Sequence, residues 1–277
     1  MNKQIKLNLL GSDPEVFLAE RETGRVVSAI PYVMGDKYNP YQIPRLPEGC
    51  MIQTDNVMVE YCLPPTLNPI EFYNNFRACV EWTESIIPAE LQVVIKASAR
   101  LDEEFLQDPQ AKRFGCEPDF NAWLEGTRNQ SPSNKTNLRT AGGHLHVSYE
   151  EPDYEDRLDL IKSLDIFLGI PSIILDPDKE RKKMYGKAGA MRFKSWGVEY
   201  RSLSNFWLGS LELVQSAFKG VEMAVEFYNS GKIAKLTDED QLSIQTCINT
   251  GDEALALQLV HKYQLESILN KAEVFID

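Results

Sequence analysis

From Leu9 to Glu20 apolar and polar side chains alternate closely enough to predict a strand, and Glu22-Thr23-Gly24 supplies the turn into a second strand at Arg25 to Ile30. Alternation returns at Val57 to Leu63, with Val57, Val59 and Tyr61 on one face and Met58, Glu60 and Cys62 on the other, and again at Leu91 to Ala99, Arg139 to Tyr149 and Met191 to Leu203. Helical spacing joins Phe72, Phe76, Cys79, Val80, Thr83 and Ile87 behind the cap Asn68-Pro69, ending at Pro88. A second helix carries Leu158, Ile161, Leu164, Asp165 and Leu168 and is predicted to stop before Pro171. Leu208 to Tyr228, Asp238 to Thr246 and Asp252 to Ala272 read as further helices. Between these lie a Pro- and Tyr-rich loop from Pro31 to Gly49, a mixed stretch from Asp102 to Trp123 and a polar loop from Asn129 to Asn137. Strands scattered among unlike helices, with a hairpin at the start and a helical last third, predict an α+β fold built on a mostly antiparallel sheet. We expect one domain over 1–277, with 209–277 a helical C-terminal extension packed on it.

Chemistry enters through the strands. Asp13 and Glu15, His144 and His146, and Glu199 and Arg201 each stand two residues apart, which puts both side chains of a pair on one sheet face. Glu60 adds a carboxylate from its own strand, and Asp55 stands just before that strand. Buried charges of this number cost several kcal/mol unless they share counterions, about 2–7 kcal/mol for even a neutral polar group left unpaired. A divalent metal accounts for them most simply, and a carboxylate-dominated donor set suits magnesium, the imidazoles tilting toward manganese. The sequence has three histidines, and two of them fall in Gly142-Gly143-His144-Leu145-His146, where the glycines permit close backbone approach.

The 277 residues carry 29 basic and 41 acidic side chains, a formal charge of −12, which argues against nucleic acid as a partner. Against that background Lys179 to Arg201 holds eight basic residues and two acids, an electropositive stretch of the kind that holds polyphosphate beside a metal. No GxxxxGK[ST] loop or GxSxG elbow occurs, so neither P-loop nor serine-nucleophile chemistry is indicated. Five cysteines without a CxxC pair are expected to be reduced thiols. Neither a signal peptide nor a membrane-spanning run is recognisable, and we expect a cytoplasmic protein. Gly11-Ser12-Asp13-Pro14-Glu15 is echoed by Gly115-Cys116-Glu117-Pro118-Asp119, in which Glu117 and Asp119 are candidates for binding an amine.

Taken in order, these segments resemble the phage-type carboxylate-amine ligases, the type-2 amidoligases of the glutamine synthetase and glutamate-cysteine ligase superfamily. Gly11 to Phe17 resembles the opening acidic strand, Asp55 to Glu60 the second, Gly142 to Ser148 the Gly-x-His-x-His strand, and Trp196 to Ser202 the Glu-x-Arg strand. The resemblance implies a curved antiparallel sheet forming a funnel-like site, with helices on its outer face. It implies ATP and Mg2+ or Mn2+ as cofactors, phosphorylation of a carboxylate to an acyl phosphate, and displacement by an amine to leave an amide or isopeptide bond with ADP and phosphate. Asp13, Glu15, Glu60, His144 and Glu199 would be metal ligands, although which of the two histidines coordinates is left open. Arg201 and Arg192 would contact the transferring phosphoryl group, beside the catalytic role of Glu199, and His146 and Lys187 would lie near the ATP phosphates. The expected partners are a small amine and a carboxylate, on a peptide, protein or cell-wall fragment, with no nucleic acid and no membrane. The resemblance also implies a phage origin, and thus the host cytoplasm. Asp13 replaces the glutamate of many relatives. The competing readings are a metal-dependent hydrolase on the same cluster and a catalytically inactive binding protein.

Overall fold

The computed structural model describes residues 4–112, 119–129 and 136–269. Its strands are β1 (Leu7–Ser12), β2 (Glu15–Glu20), β3 (Val26–Val27), β4 (Tyr41–Gln42), β5 (Met51–Asp55), β6 (Met58–Cys62), β7 (Leu91–Val94), β8 (Ser98–Arg100), β9 (Phe120–Asn121), β10 (Thr127–Arg128), β11 (Leu138–Thr140), β12 (Leu145–Tyr149), β13 (Ala190–Lys194) and β14 (Gly197–Tyr200). Helices are α1 (Pro69–Ile86), α2 (Tyr154–Leu164), α3 (Ile170–Leu175), α4 (Leu211–Asn229), α5 (Asp238–Thr250), α6 (Glu253–Tyr263) and α7 (Glu266–Leu269). The class is α+β, and every strand pairing among the described residues is antiparallel. One sheet runs β1-β12-β14-β13-β9-β10 and a second β3-β2-β6-β5-β4, with β7 also on β2 and β8 paired to β11.

Four predicted strands are interrupted: Leu91 to Ala99 divides into β7, on β2, and β8, on β11, and the other three interruptions build the site. Leu9 to Glu20 breaks at Asp13-Pro14, so that β1 and β2 enter different sheets with Asp13 at the corner between them. Proline withholds a ladder donor there, while its carbonyl accepts from the amide of Tyr61 at 2.9 Å. Arg139 to Tyr149 divides at Gly142-Gly143 into β11 and β12. A Cβ on Gly142 would lie 2.3 Å from His144 Nε2, and one on Gly143 2.5 Å from Trp207 Nε1, so neither position admits a side chain as the chain stands. Met191 to Leu203 folds back at Ser195-Trp196 into the hairpin β13–β14, which sets Arg192 directly across from Glu199.

Asn68 caps α1 as expected, its side chain accepting from the amides of Ile70 at 3.0 Å and Glu71 at 3.3 Å. The second predicted helix does not stop at Pro171. A π-helical turn over Asp165–Gly169 loosens the spiral ahead of the proline, whose missing N–H is then no loss, and α3 continues. Asp252 to Ala272 is likewise not one helix: Gln264 adopts a left-handed conformation (φ 58°) that closes α6, the Leu265 amide bonding back to Val260. Residues 270–272 lie outside the described ones.

The alternation of β12 and β14 separates core from site. Leu145, Val147, Val198 and Tyr200 face a core shared with Phe72 and Phe76 of α1, Leu160 and Leu164 of α2, and Val214 and Phe218 of α4. The C-terminal helices contribute Ile244, Ile248, Leu259 and Ile268 to that same core. Among the described residues no helix is long and apolar enough to cross a membrane. Cys50, Cys62, Cys79 and Cys247 are free thiols, and Cys116 lies outside the described residues.

Candidate functional site

On the face opposite that core, cross-strand register aligns Gly11 of β1, His146 of β12, Glu199 of β14 and Arg192 of β13. Two residues along, Arg201 and His144 form the adjoining row, and Asp13 leans in from the corner. Asp13 Oδ1 lies 3.0 Å from His144 Nδ1 and 3.5 Å from His146 Nε2. His144 Nδ1 is also 3.2 Å from Arg201 Nη1, so the neutral ring serves one neighbour at a time, donating to Asp13 or accepting from Arg201.

Glu199 is the centre of charge. Fully buried, it pairs with Arg201 Nη1, with Lys194 Nζ at 2.7 Å and with Arg192 Nη1 at 3.5 Å. Burial and the nearby Asp13 oppose its ionisation, but Arg201 and the two histidines overcome them and bring its pKa down to about 2. Asp13 behaves alike: burial resists the charge, and His144 and His146 hold it well below the ordinary carboxylate range. Burial and then Arg201 lower the pKa of His144. Arg201 is itself buried and donates from Nε to Asp119 at 2.5 Å.

The second row of acids continues into the neighbouring sheet, where Glu15 is opposite Glu60, and Glu60 opposite Gln53. Gly142 stitches the sheets together: its amide donates to Glu15 Oε2 at 2.6 Å, and its carbonyl accepts from the Glu15 amide at 3.0 Å. Glu60 accepts from Gln53 Nε2 at 2.7 Å. Burial, then Asp55, drives the Glu15 pKa up to about 8. Burial, then Asp13 and Asp55, raises that of Glu60 well above its ordinary value, and burial raises Asp55 also.

Two recesses flank this surface. A cleft of about 520 Å³ is lined by Glu15, Asp55, Asp119, Arg139, Arg181 and Arg201 among others, and His144 reaches it too. Across the β12 side, about 670 Å³ opens between Leu9, Gly11, Leu63, Pro65, Ser148 and Trp196, with His146 on its wall. The Trp196 ring is tilted 49° to that of His146, 5.4 Å between centroids.

Of the residues expected from sequence, Asp13, His144, His146, Arg192, Glu199 and Arg201 come together, and Glu15 and Glu60 stand in the adjoining row. Lys187 does not join them: its ammonium donates to the carbonyl of Asn249 in α5, 3.1 Å away, because the loop ahead of β13 turns toward the C-terminal helices. Glu117 lies outside the described residues. Asp119 is bound to Arg201. Lys194 and Arg181 belong to the electropositive stretch from Lys179 to Arg201 without an individual role there, and Lys194 is two residues beyond Arg192 and so on its face. Arg181, 3% exposed, gives its Nη groups to the carbonyls of Ser202 and Arg201 at 3.0 and 3.3 Å, and no spacing rule places it there.

The donor set fits a hard divalent cation. One ligand atom each from Asp13, His146 and Glu199 lie within 4.8 Å of one another. The buried Nε2 of His146 makes no hydrogen bond among the described residues, and Glu15 and Glu60, paired across their strands, add further carboxylate oxygens in the adjoining row. On geometry the ring that shares this grouping is that of His146, with His144 one step nearer Arg201.

A family model for "Phage phiEco32-like COOH.NH2 ligase-type 2" matches residues 125–268. No curated protein matches the chain. Among solved structures, a bifunctional glutathione synthetase from Pasteurella multocida is similar at 12% identity and a TM-score of 0.48, the match covering 96% of this chain and 51% of that one. The chain thus spans about half the length of that protein. A GmaS/ADP complex is similar at 12% identity and a TM-score of 0.37, over 97% of this chain and 71% of that one.

Proposed function

Because the chain belongs to the phage phiEco32-like COOH.NH2 ligase type 2 family, we propose that it joins a carboxylate to an amine at the expense of ATP, through an acyl phosphate, releasing ADP and phosphate. The observation that carries this reading is the buried Glu199 with Arg201, Arg192 and Lys194 on one side and Asp13 and His146 on the other. Bringing a carboxylate against the γ-phosphate of ATP sets two anions together, and such a cation-rich wall offsets their repulsion.

The recess beside His146 and Trp196 is the side for nucleotide, and the cleft beside Arg201 and Arg181 the side for the carboxylate. Arg192 and Arg201 reach the region between them, where a carboxylate oxygen would bond to the γ-phosphorus as ADP leaves. Asp119 and Glu199 hold the Arg201 guanidinium from two sides, so its direction is set before substrate arrives. In the second step the amine nitrogen bonds to the acyl carbon and phosphate leaves. Asp55, on the cleft wall with its pKa raised first by burial, is suited to take the proton that the amine loses. A magnesium or manganese ion held by Asp13, Glu199 and a histidine, with Glu15 and Glu60 beside it, would supply neutralisation of the phosphate charge.

The test is calorimetric titration of ATP with and without magnesium, followed by screening carboxylates and amines for ADP release. Binding that requires magnesium supports the ligase. If ATP and its analogues bind under no metal condition, the ligase reading falls and a nucleotide-independent hydrolase takes its place.

A further inference from the structure

Behind the strands that carry Glu199 and Arg201, one buried carboxylate ties the site's elements together. Asp165 lies in the π-helical turn between α2 and α3 and is fully buried. Its Oδ1 accepts from the Tyr200 hydroxyl at 2.8 Å, and the Ser202 hydroxyl, 3.3 Å away, shares its one proton between Asp165 and the Lys187 carbonyl at 2.8 Å. Its Oδ2 accepts from the Trp123 indole N–H and the Gly189 amide, both at 2.6 Å. Tyr200 and Ser202 flank Arg201. Gly189 leads into β13, which bears Arg192. Trp123 closes the short segment that begins at Asp119. The donors thus come from the three segments whose other side chains meet around Arg201.

The local build supports this arrangement. A regular α-helical turn would present residue 165 on a different heading from one widened by a π turn, and such turns recur at functional sites. Gly169 leaves room for the contact, since a Cβ there would stand 2.9 Å from the Tyr200 hydroxyl and 3.3 Å from Asp165 Oδ1.

We infer that Asp165 is a positioning residue, which sets from the reverse face of the sheet how Arg201, Arg192 and Asp119 meet around Glu199. Its chemical consequence rests on the ligase reading, while its geometry rests on the hydrogen bonds alone. Asp165→Ala removes all four acceptor contacts. Asp165→Asn restores them by chemistry: the amide oxygen accepts from Trp123 and Gly189, which can only donate, and the two hydroxyls turn to accept from the amide.

The readout is the Arg201 Nε–H signal in nitrogen-15 spectra, assigned by its loss in Arg201→Lys, together with magnesium-dependent ATP binding by calorimetry. Both are taken well below each variant's thermal midpoint. The alanine variant should lose or shift the Arg201 signal and weaken ATP binding by about ten-fold or more, and the asparagine variant should recover both. If Asp165→Ala does not fold, Tyr200→Phe combined with Ser202→Ala strips the Oδ1 side and should move the same signal. An unmoved Arg201 signal in a folded variant that lacks these contacts would overturn the inference, whatever the melting temperature does. Absence of ATP binding by the wild type would instead sink the ligase reading, and the Arg201 signal would still decide the role of Asp165.

Discussion

Glu199 and Glu15 are the same residue type, both buried, on two adjoining halves of one surface, yet their pKa values are about 2 and about 8. The difference is the company each keeps. Around Glu199 the hairpin β13–β14 supplies Arg192, Lys194 and Arg201, so the acid is ionised as folded. Around Glu15 burial is aggravated by the like charges of Asp55 and Asp13, and the Gly142 amide and Arg201 offset them only in part. In one half basic side chains pair directly with the acid, and in the other the acids crowd one another. That asymmetry is the physical argument for a metal-assisted transfer between anions.

The sharpest way to break the comparison is Glu199→Gln. It leaves buried cations without their shared acid, so the variant should lose about 3–5 kcal/mol of stability, as removing one partner of a buried pair does. Magnesium-dependent ATP binding should fall at least about a hundred-fold. Thermal melts and calorimetry check both, and a variant that binds ATP normally would remove Glu199 from the centre of the site.

The next effect is in pH. A carboxyl whose folded pKa is raised stabilises the fold below its unfolded value and loses that stability as pH climbs through the folded one. For Glu15 the window runs from 4.5 to about 8, and metal-free protein should lose on the order of 4 kcal/mol across it. Glu199 runs the other way, its contribution present above 4.5 and lost as pH falls toward about 2. Added magnesium should flatten the slope across that same window, from 4.5 to about 8. Melting temperatures equally pH-dependent with and without magnesium would contradict the assignment of the acidic half.

A smaller effect is expected at Glu60→Gln, which relieves repulsion among the acids. At high pH and without metal the variant should be more stable than wild type by about 1 kcal/mol, while magnesium raises its melting temperature less. Smallest of all is Lys187→Ala, since its ammonium is bonded to Asn249. ATP affinity should change by less than about two-fold, with about 1 kcal/mol of stability lost with the hydrogen bond. A large drop in ATP affinity would return Lys187 to the phosphates.

Side-chain periodicity alone identified α1, because cap, apolar stripe and terminating proline are all local, and it paired Asp13 with Glu15, His144 with His146 and Glu199 with Arg201, because a strand's alternation is local too. It read β1 and β2 as one strand and β13 and β14 as another, since nothing in the alternation distinguishes a straight strand from one cornered at Asp13-Pro14 or folded at Trp196. Those turns nevertheless decide the chemistry: they aim Asp13 at two histidines and set Arg192 across from Glu199. The direction of Lys187, the burial of Arg181 beneath its own loop and the reach of Asp165 to three segments depend on partners far along the chain. Residue type and spacing determined which chemistry this protein carries. Which groups meet, and in what state of charge, was decided only when long-range strand pairing brought them into one buried surface, where each acid's ionisation depends on its burial and on the charges around it.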